Sequence, residues 1–186
     1  MPHIEIKFDS IAFEPEVQSY CLNPNFKCPN YNNNWACPPE APYLEEPLSK
    51  FEKFYLIIFK LDIKSYSQSI RKKHPNWNLQ RILNRIYSKR LTNKGLEMEI
   101  TQFLDNYDEN YEEKLVLWGG HCQLCYDKIK KSCSKPNGEP CRFPDEKRYS
   151  MEAIGINVDK TVKNHNIELE WPPKDFLYRF GLICFK

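Results

Sequence analysis

A chain of 186 residues with 41% hydrophobic and 14% aromatic content is long enough to bury one sizeable core and too apolar to be a disordered polymer. Its 27 basic and 25 acidic residues leave a formal net charge of +2, so no global excess of charge directs it to nucleic acid. The first ten residues carry Glu5, Lys7 and Asp9 without the apolar stretch of a signal peptide, and the longest apolar run, Phe54 to Leu61, is broken by Lys60 and falls well short of the roughly 20 residues of a membrane helix. No membrane association is therefore expected, and the setting reads as cytoplasmic.

Residues 12 to 50 hold seven of the 14 prolines and many asparagines. Proline removes a backbone donor and fixes φ, so this segment reads as an irregular wrapping loop. Phe54 to Leu61 follows as a short, nearly continuous apolar run rich in aromatic and branched residues, the pattern of a strand buried on both faces. Pro75 to Leu91 places Leu79, Ile82, Leu83, Ile86 and Tyr87 at helical spacing, with Pro75 at the start. After Gly95 the helical pattern resumes through Leu96, Ile100, Phe103, Leu104 and Tyr107. Leu115 to Trp118 reads as a second buried strand, ending at Gly119-Gly120. Ser150 is expected to cap a helix with Met151, Ile154, Val158 and Val162 turned inward, and Phe176 to Phe185 is expected to be a last strand. This order predicts an α/β or α+β fold of one domain over 1–186, a small mixed sheet flanked by helices, with two cysteine-rich loops (12–50 and 119–149) at one rim.

Seven of the eight cysteines fall into two groups: Cys21-x6-Cys28-x8-Cys37, and Cys122-x2-Cys125-x7-Cys133-x7-Cys141. In a reducing compartment such clusters bind metal more often than they form disulfides. A structural zinc site usually shows two close ligand pairs, whereas only Cys122 and Cys125 are close here. The wide gaps suit a larger iron–sulfur cluster, and so do the prolines beside the ligands in Cys28-Pro29, Cys37-Pro38-Pro39 and Pro140-Cys141, since ferredoxin runs also end in Cys-Pro. Cys122, Cys125, Cys133 and Cys141 make a complete ligand set for one [4Fe–4S] cluster. Cys21, Cys28 and Cys37 make three ligands for a second, leaving one iron open or completed by another residue. Cys184 in its apolar strand reads as a buried hydrophobe or as that fourth ligand; His121 and His3 are the histidine alternatives. A single mixed cluster drawing on both loops and a zinc-held site also remain open.

Around these ligands, Arg142 and Ser150 are read as cofactor-binding. Ser150 would turn the amides of its helix toward the cluster loop, and Arg142, with Arg148, would bind an anion or pair with Asp145 or Glu146. Glu152 reads as an acid near the cluster or as a carboxylate complementing a helix N-terminus. Lys128, Lys130 and Lys131 read as solvated loop lysines or as counter-charges to the cluster. The run Arg71-Lys72-Lys73-His74, with Arg81, Arg85, Lys89 and Arg90 and with Trp77 and Tyr87 among them, reads as a solvated helix face, with a docking surface for an acidic redox partner or an RNA-binding surface as the alternatives. No nucleic-acid motif, glycine-rich phosphate loop or Ser/His/Asp arrangement is legible. The functional expectation is electron transfer, or redox or sulfur chemistry at an open iron, with a protein redox partner or a metalloenzyme client. The alternative is a zinc-stabilised, non-enzymatic interaction module working through its basic helix.

Two stretches carry a resemblance. Asn34-Trp35-Ala36-Cys37-Pro38-Pro39, and Gly138 to Pro144 running into Arg148-Tyr149-Ser150-Met151-Glu152-Ala153-Ile154-Gly155-Ile156-Asn157-Val158, resemble the signatures of the predicted metal-binding family called domain of unknown function 2284. In that family a Cys-Pro-Pro segment comes early, and a cysteine-rich segment runs into a Ser-Met-Glu-Ala-x-Gly-Ile-Asp-Val-like stretch. The resemblance implies metal binding in a prokaryotic cytosol and supplies no reaction. Two positions depart from it: Lys128 lies near the place of the family's third cysteine, with Cys133 coming later, and Asn157 stands where Asp is usual.

Overall fold

The computed structural model of the chain describes residues 2–24, 26–86 and 89–186. Strand β1 (His3–Ile6) leads into the proline-rich segment, which contains a 3₁₀ turn at Pro15–Cys21, a small hairpin of β2 (Leu22–Asn23) and β3 (Phe26–Lys27), and the short helix α1 (Glu45–Leu48). The longer elements begin at β4 (Lys53–Asp62) and continue through α2 (Ile63–Lys73), α3 (Leu79–Ile86) and α4 (Lys89–Asp105). Then come β5 (Lys114–Leu117), α5 (Leu124–Ile129) within the second cysteine segment, α6 (Val158–Lys163) and β6 (Phe176–Phe185).

The expected α/β architecture is present: one four-stranded sheet, flanked by helices, in the order β1-β4-β6-β5. Its named strands all pair antiparallel, so the sheet is antiparallel and not the mixed one expected. β4 and β6 are central and buried on both sides, which is why they read as continuous apolar runs. Phe54, Leu56, Leu182 and Cys184 meet Leu117, Met151, Ile154 and Ile156 on one face. Tyr55, Ile57, Ile183 and Phe185 meet Leu96 and Ile100 of α4 on the other. A smaller cluster joins Ile63 and Ile70 of α2, Ile82 and Ile86 of α3, and Leu177 of β6. Among the described residues no helix is long and apolar enough to cross a membrane.

Three helix boundaries differ from expectation. α3 starts at Leu79 rather than Pro75, because Asn78 caps it: the Asn78 Oδ1 accepts the Arg81 N–H at 2.9 Å. Tyr87, expected on that helix, lies outside the described residues. Helix α4 runs through Gly95 instead of starting after it. A Cβ at Gly95 would collide with the Phe59 ring, so glycine lets the helix lie close on the sheet. The helix expected from Ser150 breaks at Gly155, which takes φ +97 with the Tyr43 ring packed against it, a conformation that favours glycine. Ser150 therefore heads only a turn, its Oγ accepting the Ala153 N–H at 3.2 Å. Asn157 caps α6 instead, accepting the Lys160 N–H at 3.1 Å.

Candidate metal centre

The first cysteine segment is a chain of tight turns. The Cys28 N–H donates to the Cys21 carbonyl at 2.9 Å, closing the small hairpin, and the Tyr31 N–H donates back to the Cys28 carbonyl at 3.1 Å. The Asn32 N–H donates to the Pro38 carbonyl at 2.9 Å, and the Cys37 N–H to the Asn34 carbonyl at 3.1 Å. Prolines without donors separate these turns, so the backbone cannot settle into a helix. Cys37 is buried, and its thiol is pushed up to about 12, chiefly by burial and then by the charges of Cys28, Cys21, Cys122 and Cys133 nearby. The neighbours of Cys37 thus come from both segments.

The second segment leaves the sheet where β5 ends. The Trp118 N–H donates to the Tyr149 carbonyl at 2.7 Å, and Trp118 bridges to Ser150, so both ends of the loop are tied at one sheet edge. The Cys122 sulfur receives backbone N–H groups from Arg148 and Leu124. Burial still raises its thiol, while those two donors and the Arg148 guanidinium pull the other way. Cys125 is buried on α5, and the Arg142 guanidinium lies near enough for that sulfur to raise the arginine's pKa. Arg142 also donates to the Ser132 carbonyl at 2.9 Å and pairs with Glu139 at 2.8 Å.

The two segments are clamped together. The Asn34 side chain donates to the Cys122 carbonyl at 2.9 Å and accepts the Ala36 N–H at 3.0 Å. The Trp35 indole N–H is shared between the Ser134 hydroxyl at 3.2 Å and the Glu139 carbonyl at 3.1 Å. Ser134 is fully buried and donates to the Pro140 carbonyl at 2.8 Å, while Lys135 pairs with Glu40 and lies over the Trp35 ring at 4.5 Å. Between the segments is a cavity of about 480 Å³, its wall formed by Cys122, Cys125, Cys133 and Cys141 on one side and the Asn33-to-Ala36 turn on the other. The clamping roles of Asn34, Trp35 and Ser134 were not assigned from sequence. The available signal was Asn34-Trp35 inside the early motif, without anything to say what it touches.

The remaining sequence candidates fall in different places. His121 is on the wall of the same cavity, beside Cys122. Cys184 is fully buried in the sheet core, opposite Phe54 on β4 and Leu115 on β5, and burial alone raises its thiol. His3 packs against the Phe103 and Tyr55 rings on the far face of the sheet. Ser150 is buried in its own turn and is not on the cavity wall. Arg148 pairs with Glu97 at 2.6 Å and lies over the Trp118 ring at 4.2 Å, so neither arginine takes Asp145 or Glu146 as its partner. Glu146 pairs with Lys128 instead.

Among the described residues no disulfide is formed, and no three His, Cys, Asp or Glu side chains converge on a single metal-ion position. The second-segment thiols surround a space rather than a point. An all-sulfur donor set suits zinc or iron–sulfur chemistry, and N–H and guanidinium groups directed at sulfur are the outer contacts that tune such centres. The residues present therefore fit a thiolate-held metal group. No curated protein and no solved structure matches the chain. The model of the family described as predicted metal-binding proteins, DUF2284, matches residues 4–185, and the chain belongs to that family.

Proposed function

We propose that this is an iron–sulfur protein of the cytoplasm, acting as one domain over residues 1–186 in electron transfer. Cys122, Cys125, Cys133 and Cys141 would hold one [4Fe–4S] cluster. Cys21, Cys28 and Cys37 would hold a second through three thiolates, leaving an iron where redox or sulfur chemistry has room. The observation that carries this reading is the cavity of about 480 Å³ walled by four thiols of the second segment; Cys21, Cys28 and Cys37 do not line it, and Cys37 is close enough to Cys122 and Cys133 to feel their charge. That space is of small-ligand size, larger than one tetrahedral ion requires.

When bound, such clusters supply one-electron chemistry at a potential set by charge, hydrogen bonding to sulfur and solvent exposure. The chain's own contribution is to fix those terms. The Leu124 and Arg148 N–H groups on Cys122 and the Arg142 guanidinium on Cys125 stabilise thiolate character and favour the reduced, more negative state. Trp35 and Phe143 give the cavity wall aromatic surface.

Anaerobic purification followed by iron, zinc and acid-labile sulfide analysis tests the reading. About eight irons and eight sulfides per chain, with broad visible absorbance bleached by dithionite, are expected for two clusters. Stoichiometric zinc without iron or sulfide would overturn it and leave a zinc-held interaction module.

A further inference from the structure

The charge of this chain is unevenly placed. From Ile63 to Leu96 lie nine of its 27 basic residues and none of its 25 acidic ones, which leaves 18 basic against 25 acidic elsewhere. The near-balance of the whole hides a strongly basic module set on an acidic body. α2 and α3 form that module, closing on one another around Ile63, Ile70, Ile82 and Ile86. With the isoleucines inward, the cations face out. Arg71, Lys72, Lys73, Arg81, Arg85 and, on α4, Lys94 are all exposed, and none is in an ion pair among the described residues. The three at the end of α2 complement its dipole. Arg81 and Arg85 stand one turn apart on α3, a like-charge spacing that is unfavourable for the helix, and both guanidinium groups lie over the Trp77 ring, at 4.3 and 5.8 Å.

An apolar groove adjoins this face. Leu177 is both a member of the α2–α3 cluster and a wall of a mostly apolar cavity of about 430 Å³ bounded by Leu169, Trp171, Pro172, Phe176 and Tyr178, with one carboxylate, Glu170, and one guanidinium, Arg179, on its wall. Trp171 at its lip is 92% exposed. Lys60 lies over the Phe176 ring at 3.8 Å, carrying the positive charge to the groove's edge. Exposed tryptophan and aromatic surface beside arginine is the composition of a protein interface core, with a charged rim around it.

We propose that the α2–α3 face and the Trp171 groove together form a docking surface for a small acidic electron-carrier protein. Carboxylates of the carrier meet the basic face, and an apolar side chain enters the groove. The class of partner rests on the redox reading of the metal centre. A nucleic acid fits less well. Trp77, an aromatic on the basic face, is already engaged by the His74 ring at 4.2 Å and by Arg81 at 4.3 Å, leaving it poorly placed to stack a base.

The full-length chain would be titrated with an acidic flavodoxin and an acidic [2Fe–2S] ferredoxin at low and high salt, alongside a single-stranded oligonucleotide. The wild type is expected to bind at least one carrier, with affinity falling as salt rises. Lys72→Glu/Arg85→Glu should weaken binding roughly tenfold or more and flatten the salt dependence. Trp171→Ala should weaken it by about tenfold and leave the salt dependence unchanged; this side chain is too exposed for its removal to unfold the chain. The proposal is overturned if neither carrier binds at low salt, if both variants bind like wild type, or if the oligonucleotide binds more tightly than either carrier. These titrations read binding alone. Zinc-loaded protein that still binds a carrier would remove the redox reading and keep the surface; iron-loaded protein that binds neither would remove the surface and keep the centre.

Discussion

Asn34 gives its side-chain N–H to the carbonyl oxygen of Cys122 at 2.9 Å, joining two turns 88 residues apart in the chain. The same side chain accepts the Ala36 N–H at 3.0 Å and is 3% exposed. One amide therefore shapes the turn that presents Cys37 and fixes it against the turn that presents Cys122. Asn34→Ala strands a buried N–H, which costs roughly 1–3 kcal/mol when left unpaired, and a part-buried carbonyl that water can partly satisfy. Thermal melting should show that loss. Metal bound per chain should also fall, because both segments lose their alignment. Asn34→Asp keeps the acceptor for Ala36 and removes the donor to Cys122, so it should retain the turn and still lose metal. If Asn34→Ala binds a full complement of metal, the clamp has no part in assembling the centre.

Cys184 separates a structural thiol from a ligand. It is fully buried between the strands flanking β6, among Phe54, Leu56 and Leu182. Cys184→Ala should leave the metal content unchanged and destabilise the fold by about 1 kcal/mol, the effect of a methyl-sized void. Cys133→Ala, by contrast, removes a thiol from the cavity wall and should reduce metal content with little change in the melting of the metal-free chain. Loss of metal from the Cys184 variant alone would reverse both assignments.

Parts of this molecule are legible in its residues, and the reason differs from part to part. Strands β4 and β6 announce themselves because burial on both faces leaves no room for polar residues, and the expected span Phe176 to Phe185 coincides with β6. β1 is four residues long and carries too little pattern to stand out. α2 is also obscure. Only Ile63 and Ile70 are buried along it, and its start depends on the Asp62 side chain accepting the Ser65 N–H at 2.7 Å. At the metal centre the cysteine spacing is local and readable. The clamp through Asn34, Trp35 and Ser134 is not, because its partners are far apart in sequence. Ser134 sits in a run of lysines and serines that looks solvated, yet it is fully buried beneath Trp35.

Gly95 tests how closely α4 rests on the sheet. A glycine inside a helix is about 1 kcal/mol less favourable than alanine, so on propensity alone Gly95→Ala should stabilise. The added Cβ would instead collide with the Phe59 ring, and overpacking of this kind costs roughly 1–3 kcal/mol. Denaturant unfolding should show net destabilisation. In a Phe59→Leu background, where the ring is gone, the same Gly95→Ala change should become neutral or favourable. A cycle without coupling would mean that the helix shifts freely and that the contact does not set its position.

Asn157 does two things that an aspartate could not do together. Its Oδ1 caps α6, and its Nδ2 donates to Glu14 at 2.7 Å. Glu14 also pairs with Lys160, and the Lys160 hydrogen bond, then that of Asn157, holds its carboxyl below the ordinary range. A depressed carboxylate adds stability that is complete above its unfolded pKa and is lost as pH falls through its folded value. The wild type should therefore lose this contribution only below about pH 4.5, the unperturbed Glu value. Asn157→Asp preserves the cap but replaces the donor with a second carboxylate facing Glu14, which raises the Glu14 pKa. The variant should be less stable than wild type at pH 7, and the gap should narrow on acidification as one carboxyl takes up a proton and donates to the other. Asn157→Ala should lose about 1 kcal/mol through the missing cap, without that narrowing. Parallel stability curves for wild type and Asn157→Asp from pH 7 to pH 4 would show that the Glu14 contact contributes nothing.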